Sequence, residues 1–300
     1  MDPGSWASEA YRGLRTNIMF ANPDQPPTTL VFTSALPRDG KSISATNFAI
    51  TLAQLGHRAL LVDADMRHGC LHDVFGVPRD PGLTEILTGE NFSNEAIHTI
   101  DLGDTIDLGE KSGTLFFMPT GTLPPNPTEL LGSARMKGLL KSLKAQFDAV
   151  ILDCPPLMAV TDAAILGTYA DATLLVARAN VTEKGAITHC MEQLKDVRTG
   201  VLGTILNDVD PKRDSRYGEP YGMYEALSKK SRGTGTRRAS DRAGDAAAGD
   251  AASDRSGVRA RDHRWGAPRP SEPPRPEPPR PQSSQPQSPE PPLHPAVRTW

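Results

Sequence analysis

The chain has 300 residues, room for one large domain or two small ones, and its formal net charge of −3 argues neither for nor against nucleic acid. Its three cysteines, Cys70, Cys154 and Cys190, are odd in number and widely separated; this excludes an even disulfide framework and a closely spaced cysteine metal site, and points to a reducing compartment. No apolar run approaches the ~18 residues of a membrane span, and the first residues lack a charged-then-apolar leader pattern, so work at a membrane would need a recruiting partner.

In chain order, residues 29–33 form a short β-branched run that predicts a strand. A turn-rich stretch, 37–40, leads into helical spacing over 42–55, which Gly56 closes as a C-cap. Continuous apolar runs at 59–62 and 115–118 read as strands buried on both faces, and 149–152, 172–177 and 201–206 read as further strands, with helices over 130–147 and 187–197. Strands alternating with helices predict an α/β fold, a doubly wound and mainly parallel sheet with right-handed crossovers. After Lys229 the apolar clusters stop, and an Arg/Gly/Ala-rich stretch passes into a Pro-rich one. Such composition cannot offset its own ordering entropy. The expected organisation is a folded domain over 1–228 and a disordered tail over 229–300.

The strongest local signal is Ala35-Leu-Pro-Arg-Asp39-Gly40-Lys41-Ser42, between a predicted strand and a predicted helix. Backbone N–H groups at a helix N-terminus attract phosphate. Gly40 permits close approach, Lys41 can reach the β- and γ-phosphates, and the Ser42 hydroxyl can sit on Mg²⁺. Asp39 and Ile43 flank this cradle and are assigned to it as nucleotide-binding positions. The first glycine of the usual pattern is here Ala35.

Two further strands end in acids. Leu60-Leu-Val-Asp63-Ala-Asp65-Met-Arg67 and Val150-Ile-Leu-Asp153-Cys-Pro-Pro156 both deliver carboxylates to the carboxyl edge of a parallel sheet, where ligands collect. Asp63, Asp65 and Asp153 should therefore converge on the bound phosphates. Asp153 suits a metal partner with Ser42 and Asp63, while Asp63 and Asp65 suit proton removal from an acceptor hydroxyl.

Together these residues resemble the bacterial tyrosine kinases of capsule and exopolysaccharide synthesis. That family joins a P-loop to an Asp-x-Asp-x-Arg strand end, here Asp63 to Arg67, and an Asp-x-Pro-Pro strand end, here Asp153 to Pro156. Glu9-Ala-Tyr-Arg12-Gly-Leu-Arg15 fits its Glu-x-x-Arg-x-x-Arg helix; the segment from Gly121 to Leu131 and Thr161-Asp162-Ala163 fit further family segments. The resemblance implies a MinD-like P-loop fold. ATP and Mg²⁺ would be the cofactors, Arg67 would join the nucleotide site, and Asn207 would hydrogen-bond the adenine. Tyr217, Tyr221 and Tyr224 would be autophosphorylated in trans within a ring joined through Glu9, Arg12 and Arg15. The implied partners are a membrane chain-length regulator of Wzz-like type, fused or separate, and a cognate phosphatase, with no nucleic acid. The implied location is cytoplasmic, held at the inner face of the plasma membrane by the regulator. The tyrosine cluster is thin for the family, with three residues and none in the long tail that follows.

Two other functions fit parts of the pattern. A MinD/ParA-type positioning ATPase shares the fold, but its additional lysine near the start of the P-loop is here Leu36. A nucleotide-binding scaffold without kinase activity would explain the sparse tyrosines but not the intact acids. The histidines do not repeat at zinc-ligand spacing except His68 and His72 on a possible helical turn, and that pair reads as a surface position near the active edge rather than a zinc site.

Overall fold

The computed structural model describes residues 5–89, 95–102 and 114–210, all within one compact unit. Tyr217, Tyr221, Tyr224 and the predicted boundary at 228 lie outside these residues. In chain order the elements are α1 (Trp6–Ala21), β1 (Thr29–Ser34), α2 (Lys41–Ala53), β2 (Ala59–Asp63), α3 (Leu71–Phe75), α4 (Leu83–Thr88), β3 (His98–Ile100) and β4 (Leu115–Met118). They continue with α5 (Pro127–Leu131), α6 (Ala134–Gln146), β5 (Ala149–Asp153), α7 (Asp162–Gly167), β6 (Ala172–Arg178), α8 (Lys184–Asp196) and β7 (Val201–Asn207).

The strands form one sheet in the order β3-β4-β2-β5-β1-β6-β7. Every pairing is parallel except β3 with β4. The central strands β1, β2 and β5 are buried at every position, because helices cover both faces. Alternate residues feed two cores. Val31, Leu60, Val62, Val150 and Leu152 pack with Leu83, Met136, Leu140, Leu166 and Leu194 from α4, α6, α7 and α8. Leu30, Phe32, Leu61, Phe117 and Ile151 pack against Ile18, Phe48, Leu52 and Leu71 from α1, α2 and α3. This is the doubly wound arrangement expected from the sequence.

Three helices differ from the expected ones, and five strands, β1, β2, β5, β6 and β7, run one residue further than expected. The helix expected over 42–55 begins at Lys41 and ends at Ala53, with Gln54 as its cap; Gly56 lies two residues further on at φ +92°, reversing the chain into β2. The helix expected over 130–147 is two helices. Gly132 and Ser133 interrupt it, and the Ser133 hydroxyl accepts a hydrogen bond from the Met136 N–H (3.2 Å) to cap α6. The last helix starts at Lys184 rather than Ile187. Among the described residues, no helix is long and apolar enough to cross a membrane.

Candidate functional site

Strand β1 delivers the chain to 35–40 at the carboxyl edge of the sheet, and α2 starts there. Gly40 has φ +97°, a left-handed conformation open to glycine at little cost. Space is a second constraint: a Cβ at Gly40 would stand 1.9 Å from Asn207 Nδ2. The Asn207 amide, at the end of β7, donates to the Asp39 carbonyl at 3.0 Å. Asn207 thus stands directly against the loop. Asp39 is buried, and both its carboxylate oxygens are used, one by the Leu36 N–H (2.9 Å) and one by the Thr182 hydroxyl (2.8 Å).

Lys41 opens α2 and turns toward the acids. Its Nζ lies 3.0 Å from Asp65 Oδ2, 3.5 Å from Asp153 Oδ1 and 3.2 Å from the Ser42 hydroxyl. Asp63 and Asp153 are register partners on the neighbouring strands β2 and β5. Asp63 also orders the turn after its strand, accepting from the backbone N–H groups of Leu71 (3.1 Å) and Asp65 (3.3 Å). Gly69 is required in this turn, since a Cβ would fall 2.0 Å from Thr120 Oγ1 and 2.9 Å from Asp63 Oδ2. The structure therefore brings Lys41, Ser42, Asp63, Asp65 and Asp153 together at one strand edge. Ile43 occupies the first turn of α2 with its side chain 61% exposed.

Three buried carboxylates face one lysine, and the electrostatics follow. Burial, together with the Asp153 charge, pushes the Asp63 carboxyl up to about 7. Burial also raises Asp153, against the pull of Lys41 and the Ser42 hydroxyl. For Lys41 burial works against the charge, but Asp153 and Asp65 outweigh it and hold the ammonium above its usual range. A hydroxyl, clustered carboxylates and an excess of negative charge match the donor chemistry of Mg²⁺, which takes few protein oxygens and shares the rest of its shell with phosphates and water. Among the described residues no group of three or more His, Cys, Asp or Glu is placed to hold a metal ion by itself.

Arg67 points elsewhere. Its guanidinium forks onto the fully buried Asp162 at the start of α7 (Nε 2.9 Å, Nη2 3.3 Å) and onto Thr128 of α5 (2.9 Å). Thr128 itself donates to Asp162 at 2.6 Å. On α1, Arg12 pairs with Glu9 at 2.8 Å, and Arg15 donates to the Thr51 carbonyl of α2 at 3.0 Å. Cys154 is buried, and burial raises its thiol well above the usual range.

The sequence reading missed Thr182. No local signal marks it, because its partner Asp39 is 143 residues away. Asp162 and Thr128 sat in recognised segments without an assigned part.

An AAA domain model matches residues 39–203. The tyrosine-protein kinase YwqD of Bacillus subtilis is 38% identical over 229 residues, 76% of this chain and 92% of that relative. The tyrosine-protein kinase Etk of Escherichia coli is 34% identical over 218 residues, 72% of this chain. The chain spans only 28% of the length of Etk, and the same share of EpsB of Ralstonia nicotianae. Among solved structures, the kinase domain of Escherichia coli Etk superposes with a TM-score of 0.64 at 35% identity, covering 69% of this chain and 77% of that one. The chimerical protein CapA2B2 does so with a TM-score of 0.63 at 33% identity, covering 69% and 87%.

Proposed function

The chain belongs to the bacterial tyrosine-protein kinases, and from that premise we propose that it is an ATP-dependent tyrosine autokinase serving capsule or exopolysaccharide synthesis. One observation carries the reading: Lys41 Nζ sits between Asp65 and Asp153, beside the Ser42 hydroxyl, at the N-terminus of α2.

In this reading the backbone of the 35–42 loop and Lys41 cradle the β- and γ-phosphates. Ser42, Asp153 and Asp63 would hold Mg²⁺, which supplies charge neutralisation on the phosphates. Asp65 orients Lys41 and stands where an incoming tyrosine hydroxyl would arrive. The γ-phosphoryl group leaves ADP for the tyrosine oxygen, and the hydroxyl proton passes to a carboxylate. Asp65, and Asp63 where it does not hold Mg²⁺, are the candidates for that base. Asn207 stands at the base side of the cradle. Arg67 acts on the nucleotide site indirectly, by fixing the Asp63–Arg67 turn.

The acceptors in this reading are Tyr217, Tyr221 and Tyr224, in a domain ending near 228. Phosphorylation runs in trans within a ring. Glu9, exposed on α1, and Arg12, half-buried and paired with it, face the neighbour, while Arg15 holds α1 on α2. A membrane chain-length regulator recruits the kinase and activates it, and a phosphatase reverses the reaction.

The test is phosphotyrosine mapping by mass spectrometry after incubation with ATP and Mg²⁺, with and without the regulator's cytoplasmic segment, beside Lys41→Met. Phosphate on Tyr217, Tyr221 or Tyr224 that disappears in Lys41→Met is the expected result. ATP hydrolysis with no phosphotyrosine in either condition would instead indicate a positioning ATPase. Binding without either activity would indicate a scaffold.

A further inference from the structure

Asp39 occupies an unusual place in the loop. Its neighbours on both sides have positive φ, Arg38 at 69° and Gly40 at 97°. For a residue with a Cβ such a conformation is held by its surroundings rather than by preference. Those surroundings converge on Asp39. Its Oδ2 accepts the Leu36 N–H at 2.9 Å, which closes the loop on itself. Its Oδ1 accepts the Thr182 hydroxyl at 2.8 Å. The Thr182 oxygen in turn accepts the Arg178 N–H at 2.7 Å, and the Asp39 carbonyl accepts Asn207 Nδ2 at 3.0 Å. Arg178 ends β6 and Asn207 ends β7; the two ends are joined by the Ala179 N–H on the Asn207 carbonyl (2.8 Å) and by Arg178 on Asp208 (2.9 Å).

Asp39 is 2% exposed, and both its carboxylate oxygens are bonded within the protein. A buried carboxylate with both oxygens engaged by its own chain has little capacity left for a ligand. It has a different use. The loop that would cradle phosphate is connected, through one side chain, to the two strand ends beside the adenine position.

Resting on the nucleotide-binding reading above, we propose that Asp39 is a positioning residue. Its hydrogen bond with Thr182 is the clamp that presets the phosphate cradle and locks it to the base-recognition edge formed by β6 and β7. Binding energy from the base side then reaches the phosphates without a prior ordering of the loop, which is how preorganisation raises affinity.

The test is calorimetric titration of the full chain with ADP and Mg²⁺, for wild type, Thr182→Val, Thr182→Ser, Asp39→Ala and Asp39→Ala/Thr182→Val. The ATP dependence of autophosphorylation and the melting temperature without nucleotide are measured alongside. Thr182→Val keeps the shape and removes only the hydroxyl. It is expected to weaken ADP about ten-fold, the scale of one charge-assisted hydrogen bond, and to raise KM for ATP more than it lowers kcat. Thr182→Ser restores binding. In the Asp39→Ala background Thr182→Val weakens ADP far less than in wild type, because the bond to Asp39 is already gone and only the Arg178 N–H loses its acceptor. A Thr182→Val protein that binds ADP like wild type overturns the clamp, even if its melting temperature falls. Effects of the two substitutions that multiply also overturn it. A wild type that binds no ADP overturns the proposed function itself, and the clamp with it.

Discussion

The phosphate cradle depends on a glycine for two separable reasons, and Gly40→Ala tests them apart. At φ +97° an alanine bears a backbone penalty of about 1–2 kcal/mol. Its Cβ would also meet Asn207 Nδ2 at 1.9 Å and Cγ at 2.9 Å, so the amide must leave the Asp39 carbonyl. We expect Gly40→Ala to lower stability to urea by about 2 kcal/mol and to weaken ADP binding. In an Asn207→Ala background the steric part vanishes and the backbone part remains. The stability loss should therefore shrink without disappearing, a coupling that a double-mutant cycle reads directly. Full additivity would mean that Asn207 moves aside freely. The glycine's need for a left-handed turn is legible from Gly-Lys-Ser after a strand. The pressure from Asn207 is not, because those atoms lie 167 positions later in the chain.

Single elements are secured by side chains at their ends, and Asp171, just before β6, shows how. Its carboxylate accepts the backbone N–H groups of Thr28 (3.0 Å), just before β1, and Thr29 (2.9 Å), which starts it, and the Lys144 ammonium near the end of α6. Burial alone would raise this carboxyl; the hydrogen bonds from Lys144, Thr29 and Thr28 outweigh it and hold it below the usual carboxylate range. A depressed folded-state pKa means that the unfolded chain binds the proton more tightly. The stabilisation is therefore complete above the unfolded value, about 3.9, and is lost as pH falls through the folded one. Asp171→Asn should cost about 1 kcal/mol at pH 7, a figure kept low because the side chain is 33% exposed. In urea titrations across pH, the gap from wild type should close as pH falls below the ordinary carboxylate range; a gap constant with pH would assign the effect to shape instead of charge. The elements themselves were legible in proportion to their length and burial. Runs such as residues 59–62, apolar throughout and closed by Asp63, announce central strands. The helices Leu71–Phe75, Leu83–Thr88 and Asp162–Gly167 are five or six residues long, too short for a 3.6-residue period to register. The edge strand His98–Ile100 has only one strongly apolar residue and pairs antiparallel, so neither its composition nor its direction could be anticipated.

At the scale of the whole molecule, one buried ion pair draws together three segments that are remote in sequence. Asp162 of α7 receives Arg67 from the turn after β2 and Thr128 from α5, 95 and 34 residues away. Each segment was recognisable by its motif, but the motifs do not say that they meet; that is a property of the folded sheet, which brings the carboxyl ends of β2, β4 and β5 to one edge. The two ions of the pair are not equivalent. The Arg67 side chain is 32% exposed and Asp162 is 0% exposed. Removing one partner of a buried pair leaves the other uncompensated, at a cost of about 3–5 kcal/mol. After Asp162→Ala the guanidinium can turn to water, so the loss should fall at or below the bottom of that range, about 3 kcal/mol. After Arg67→Ala the carboxylate has no route to solvent and keeps only Thr128. Arg67→Ala should therefore be the more destabilising of the two, with a fall in Tm of roughly 6–15 °C for a domain of this size. The double variant, which buries no lone charge, should be more stable than Arg67→Ala alone. Urea unfolding of the three variants decides the ranking. If Asp162→Ala proved the worse, Asp162 would be acting through Thr128 and the α5–α7 contact rather than through the ion pair. Under the expected ranking, folded Arg67→Ala protein below its Tm should also phosphorylate more slowly, because Asp65, two residues away, loses the turn that aims it at Lys41.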